Sequence, residues 1–349
     1  MIYKFYDCSA LTSIVVESGN AKYDSRNDCN AIIETTTNTL VAGCKNTVVP
    51  NGVTAIGASA FYEITGLTSM IIPSTVATIG SNAFRGCTGL TSLNLPRNVV
   101  TIDDAAFYLC SGLKSITIPN SVTTIGTSAF HGCNNLTSIV VESGNTNYDS
   151  RNDCNAIIET ATNTLLYGCK SSVIPEGVTA IASYAFRNCS GLVSVALPDG
   201  LTTIGDYAFE DCSGLDSVVF PYGLTSIGNG AFSKCSGLTM VMMPNSITHI
   251  GESAFQYCSS LTSVNMGHPS PLPLSSMAFS TNFQFASSQN NATLYVPKGS
   301  KSAYISANYW KDFKFIVEMP ELRAVGDVDG DGQVNIADVT TLVNMILRP

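Results

Sequence analysis

The chain has 349 residues, 45% of them hydrophobic and only 12% charged, against roughly 25% charged in an average soluble domain. Its net charge is −9, and it lacks the clustered lysine and arginine that neutralise phosphates, which argues against a nucleic-acid partner. No apolar stretch approaches the roughly 20 residues that cross a bilayer, so no membrane span is expected.

The opening, MIYKFYDCSAL, lacks the charged segment and apolar run of a signal peptide. It reads as the middle of a repeat, so the expectation is that a leader has been removed. Phe61, Phe84, Phe107 and Phe130 lie 23 residues apart, as do Phe186, Phe209, Phe232 and Phe255. Further ladders share the period. One is Cys87, Cys110, Cys133, Cys189, Cys212, Cys235 and Cys258, with Cys8 and Ile64 in the same slot; another is Pro73, Pro96, Pro119, Pro198, Pro221 and Pro244. A fixed short period across most of a chain marks a solenoid, whose units bury their apolar faces only by stacking.

Within a unit, Leu113-x-x-Ile116-x-Ile118 alternates apolar and polar residues and reads as a strand that Pro119 ends. Stacked units place these strands in a parallel sheet on one face. Val122 and Ile125 then point inward, and Gly57, Gly80, Gly126, Gly205, Gly228 and Gly251 mark a turn expected to need positive φ. Asp103 and Ala182 stand in the same slot. The Ala-Phe-x-x-Cys stretch reads as a helical turn or short helix on the opposite side, with Phe and Cys facing inward.

A longer module enters twice, as SGNAKYDSRNDCNAIIETTTNTLVAGCK and SGNTNYDSRNDCNAIIETATNTLLYGCK. Each copy has two apolar runs around a Thr/Asn-rich centre and reads as a β-hairpin carried on the solenoid. The cysteine ladder reads as reduced packing, because Ile64 can replace it and strand spacing is too wide for a disulfide. Cys29 with Cys44, and Cys154 with Cys169, are symmetric about each hairpin and leave a disulfide open. From about residue 291 the period is lost. A strand over Thr293 to Val296, a helix around Ser302 to Ala307, and Trp310 read as a terminal cap, preceded by a degenerate unit around Phe279.

On the sheet, the exposed position between the inward residues forms a column: Val15, Ile71, Asn94, Thr117, Val140, Ala196, Val219, Met242 and Asn265. A largely apolar stripe open to solvent suits a protein or glycan ligand, although β-branched residues also suit strands for their own sake. Catalysis is not expected. His131, His249 and His268 occupy unrelated repeat positions and read as solvated surface residues, and no nucleophile elbow, phosphate loop or metal triad is present.

In the tail, Asp327, Asp329, Asp331, Asn335 and Asp338 fill positions 1, 3, 5, 9 and 12 of an EF-hand-type loop, with Gly332 at 6. Gln333, at 7, supplies a backbone carbonyl. Calcium takes six or more such hard oxygens. The one departure is Asp338 where a helix-loop-helix hand has Glu. Residues 336–347 continue as an apolar-rich helix. The domain reading is therefore 1–318 as solenoid and cap, and 319–349 as a calcium-binding tail.

The consensus IPxxVxxIGxxAFxxCxxL resembles the BspA-type bacterial surface leucine-rich repeat family, and LYVPKGSKSAYISANYWKDF resembles its usual ending. The resemblance implies an extracellular or cell-surface, non-catalytic protein that adheres to other proteins. The tail resembles one half of a type I dockerin at Asp327, Asp329, Asp331, Asn335 and Asp338. A dockerin has two such halves and this chain carries one, so the likeness implies calcium binding more directly than a cohesin-type partner. An alternative role follows: a component of a carbohydrate-degrading assembly docked through the tail.

Overall fold

The computed structural model describes residue 5, residues 8–274 and residues 292–319. The calcium-loop residues and Phe279 lie outside the described residues. The chain coils as a solenoid whose 23-residue turns each contribute three short segments.

The first segment is the expected parallel strand. Ser69–Ile71 pairs Ser92–Asn94, and Ser115–Ile118 pairs Ser138–Val141. Ser194–Ala196, Ser217–Val219, Met240–Met243, Ser263–Met266, Thr293–Val296 and Phe315–Glu318 form one six-stranded parallel sheet. The prolines end these strands by turning the chain, with Val122 N–H donating to Pro119 O at 3.1 Å.

The second segment is a strand of only two residues, such as Thr78–Ile79, Thr101–Ile102 and Thr124–Ile125, and it too pairs in parallel from coil to coil. The repeat pattern gave no sign of this second ladder, because two residues cannot display an alternation.

The third segment corrects the helix expectation. Phe61, Phe84 and Phe107 donate their N–H not along their own chain but to Ala83, Ala106 and Ala129 carbonyls of the next coil, each at 2.8 Å. The backbone reaches this geometry by alternating hands: φ is +56°, +56°, +53° and +60° at Ser59, Asn82, Ala105 and Ser128, and positive again at Glu63, Gly86, Leu109 and Gly132. The stretch is a chain of turns, and Phe and Cys do share its buried face.

The turn glycines need correction as well. Positive φ falls two residues after them, not on them. Gly126 is required for close approach: a Cβ there would lie 2.4 Å from Asp104 N and 2.6 Å from Asp103 C. Nothing in the structure explains why Asp103 and Ala182 are accepted in the same slot.

The modules are built into the fold rather than carried on it. Ala31–Glu34 and Thr39–Gly43 form the expected hairpin, but Tyr23–Asp24 adds a third antiparallel strand. Thr39–Gly43 then pairs in parallel with Ala55–Ile56, so the module opens the second ladder. The other copy repeats this with Ile157–Glu159 and Thr164–Tyr167. In both, an arginine is pinned by a bidentate bond to an aspartate and one to an asparagine: Arg26 with Asp24 and Asn38, Arg151 with Asp149 and Asn163.

Stacking rings fill the core. Phe61, Phe84, Phe107 and Phe130 lie nearly parallel with centroids 5.2–5.4 Å apart; Phe186, Phe209, Phe232 and Phe255 repeat the stack at 4.9–5.3 Å. At the cap, Trp310 is fully buried and donates Nε1–H to Leu272 O at 2.7 Å, while Tyr304 O–H donates to His268 O. The strand Thr293–Val296 and the helix Lys301–Ser306 stand as expected.

Candidate ligand-binding face

Alternation in the first strand turns one side chain inward and its neighbours outward. Ile116 and Ile118 are buried while Ser115 and Thr117 are exposed. The register then aligns equivalents from coil to coil: Ile71 faces Asn94, Thr117 faces Val140, and Ala196, Val219, Met242 and Asn265 follow in one row. Ile71 is 88% exposed, Val15 76% and Val219 74%, more than any buried role would leave. Val140 and Met242 are about half covered, and Asn265 is half-buried. Val15 is exposed but lies in no strand. The strands fall into three separate sheets, with breaks between Asn94 and Ser115 and, across the second module, between Val141 and Ser194, so the row is not continuous from Val15 to Asn265.

Two features went unread in the sequence. The row continues in register through Tyr295 to Val317 in the cap, where a broken period hid it. Beside it runs a polar row, Ser69, Ser92, Ser115, Ser194 and Ser217, all exposed. The recurring serine before each inward residue was the available signal. The face is thus an apolar stripe edged by hydroxyls, with few charges.

The cysteines do not belong to this face. Cys87, Cys110, Cys212, Cys235 and Cys258 are fully buried, and their Sγ–H groups donate to a phenylalanine carbonyl of the preceding coil, Cys110 to Phe84 O at 3.0 Å. Burial pushes the Cys87, Cys133, Cys189 and Cys258 thiols up to about 12. Cys29, Cys44, Cys154 and Cys169 are buried unpaired thiols as well, and Cys8, assigned to the ladder, is instead exposed.

Nor do the histidines form a site, and His131 departs from the expected solvated surface position. It is 5% exposed and packed among Tyr108, Tyr167 and Tyr184 rings. The second module creates this environment. Tyr167 O–H donates to Gly126 O and accepts Ala129 N–H, and Tyr148 oxygen accepts Ile125 N–H. Burial, with Arg187 nearby, pulls the His131 imidazole down to about 4. His249 is exposed and His268 half-buried.

Among the described residues no helix is long and apolar enough to cross a membrane. A search of curated proteins found no significant match. Among solved structures the chain resembles the pneumococcal vaccine antigen PcpA at 22% identity, over 77% of this chain and 71% of that one, with a TM-score of 0.61. It also resembles a leucine-rich cell surface protein of Faecalibacterium prausnitzii at 24% identity, over 91% and 76%, with a TM-score of 0.63. At these identities the likeness establishes the fold. The model of the BspA type leucine rich repeat region matches in six copies over residues 42–155 and 162–292, more than half the chain. With two parallel ladders, a stacked phenylalanine core and this match, the chain belongs to the BspA-type leucine-rich repeat family.

Proposed function

We propose that this is a non-catalytic extracellular or cell-surface binding protein that engages a protein or glycan ligand through the first-strand face. The observation that carries the reading is the in-register row from Ala196 to Asn265, with Val219 74% exposed. Isolated surface apolar residues need no explanation, whereas an aligned apolar stripe costs solubility unless something covers it. The family and a structural relative described as a cell surface protein support that location. Immobilised host matrix proteins and bacterial surface glycans are the ligands to screen. Retention of one by the wild type and its loss in Ile71→Asp/Val219→Asp supports the reading; no retention of any sinks it.

A second reading rests on the tail. Asp327, Asp329, Asp331, Gln333, Asn335 and Asp338 supply the oxygens of one calcium loop, and such a loop could attach the chain to a cohesin-type partner in a carbohydrate-degrading assembly. Calorimetric titration with calcium, with Asp327→Ala/Asp331→Ala as control, tests the metal. Heat that is the same for both proteins rejects it.

A further inference from the structure

The cap seals the solenoid core with Tyr304 and Trp310, yet its outward side leaves Ile305, Phe315 and Val317 exposed at 50%, 52% and 42%. They line a groove of about 420 Å³ that also holds Lys301, Lys311 and Lys314. Phe315–Glu318, which lies along it, pairs with Thr293–Val296 on one side and with no described strand on the other. The charge is local: residues 298–318 carry four of the chain's 17 lysines and arginines against only Asp312 and Glu318, a balance of +2 in a protein of −9. An apolar groove with a cationic rim is therefore placed at one end of an acidic solenoid.

We propose that the occupant of this groove is the chain's own C-terminal segment, residues 327–347. Three observations select it. First, the segment is complementary in charge: residues 319–349 hold Glu321, Asp327, Asp329, Asp331 and Asp338 against Arg323 and Arg348, a net −3. Second, Ile336, Val339, Val343 and Ile346 recur at the spacing of one helix face. So short a helix is marginal in water, and its apolar stripe needs a partner. Third, the chain leaves the cap beside the groove, where Met319 N–H donates to Val296 O. The eight residues from there to Asp327 span up to roughly 26 Å, and a tether that short holds the segment at an effective concentration on the order of millimolar. The groove supplies the apolar surface that the segment needs, and its lysines are opposite in charge to the segment's aspartates. Val317 also ends the row of the ligand face, so this occupant covers that end of the face, but the inference requires neither a ligand bound elsewhere on it nor bound calcium.

Hydrogen exchange on the full chain tests it, with circular dichroism confirming that each variant is folded. Amides of residues 336–347 should exchange at least ~10-fold more slowly in the wild type than in Ile305→Ser/Phe315→Ser. Reciprocally, Val339→Asp/Ile346→Asp should speed exchange along Phe315–Glu318, and neither effect should change on dilution. Equal exchange in wild type and groove variant overturns the proposal. Protection that vanishes on dilution also overturns it, by assigning the groove to a second copy. Protection lost to a chelator but indifferent to the groove substitutions does the same, by assigning it to a loop that folds alone.

Discussion

Acidification should loosen the junction between the first repeat block and the second module, with His131 as the titrating group. Its imidazole is buried among Tyr108, Tyr167 and Tyr184, with Arg187 as the nearby charge, so protonation places a second cation in a dry site. The folded value is about 4, against about 6.5 unfolded. A depressed folded value means that the contribution to stability is whole above about 6.5 and is lost as pH falls toward 4. Linkage gives a loss of about 2 kcal/mol between pH 7 and pH 5, rising to about 3 kcal/mol when titration is complete. Urea unfolding at both pH values, on the wild type and on His131→Phe, measures it. The phenylalanine keeps a ring in the stack and cannot titrate, so the gap between the two proteins should change by about 2 kcal/mol from pH 7 to pH 5. An unchanged gap would refute the assignment of His131 as buried and neutral.

Other consequences follow from the core and the tail. Phe107→Ala removes a fully buried ring that stacks on both neighbours, and should cost about 4–5 kcal/mol in chemical denaturation; a loss under about 1 kcal/mol would contradict the stacked core. The buried thiols of the ladder, held as neutral donors, should resist alkylation at pH 8 in the folded protein and react on unfolding, while exposed Cys8 reacts at once. Rapid labelling in the folded protein of any cysteine besides exposed Cys8 and half-buried Cys189 would show that the ladder is open. Calcium should bind the full chain with a one-to-one stoichiometry abolished by Asp327→Ala/Asp331→Ala; a stoichiometry of zero rejects the loop.

The phenylalanine, cysteine and proline ladders made the solenoid legible, because stacked coils place equivalent residues in like surroundings and so favour like residues at a fixed period. Ser115–Ile118 was legible for a second reason: its alternation is four residues long and a proline closes it. Thr124–Ile125 was not, since a two-residue strand is defined by its partners. The Ala-Phe-x-x-Cys stretch is legible only as a helical turn or a short helix, because residues three apart share a face in a helix and in this turn alike; the structure has the turn. The left-handed positions that separate the two hold Ser59, Ala105, Tyr184 and Tyr207, which carry no glycine signal. The glycine of the next slot was legible as a requirement, but its cause lies in the neighbouring coil. His131 could not be read locally at all. Its burial comes from Tyr167, 36 residues on, where the first module has Ala42. The exposed row from Ile71 to Asn265 was legible because register follows from the repeat, and its extension to Tyr295 and Val317 was hidden by the loss of period.

The claim on which the account turns is that the row on the first-strand face is a contact surface and not merely strand-forming sequence. Surface plasmon resonance against a ligand retained by the wild type tests it, with Ile71→Asp/Val219→Asp compared with Thr88→Asp at an exposed corner between sheet and turns. All three side chains are exposed, so stability should change by no more than about 0.5 kcal/mol per site. The account predicts at least a ~10-fold weaker complex for the face variant, about 1.4 kcal/mol, and wild-type binding for Thr88→Asp. Equal binding by all three proteins would contradict it.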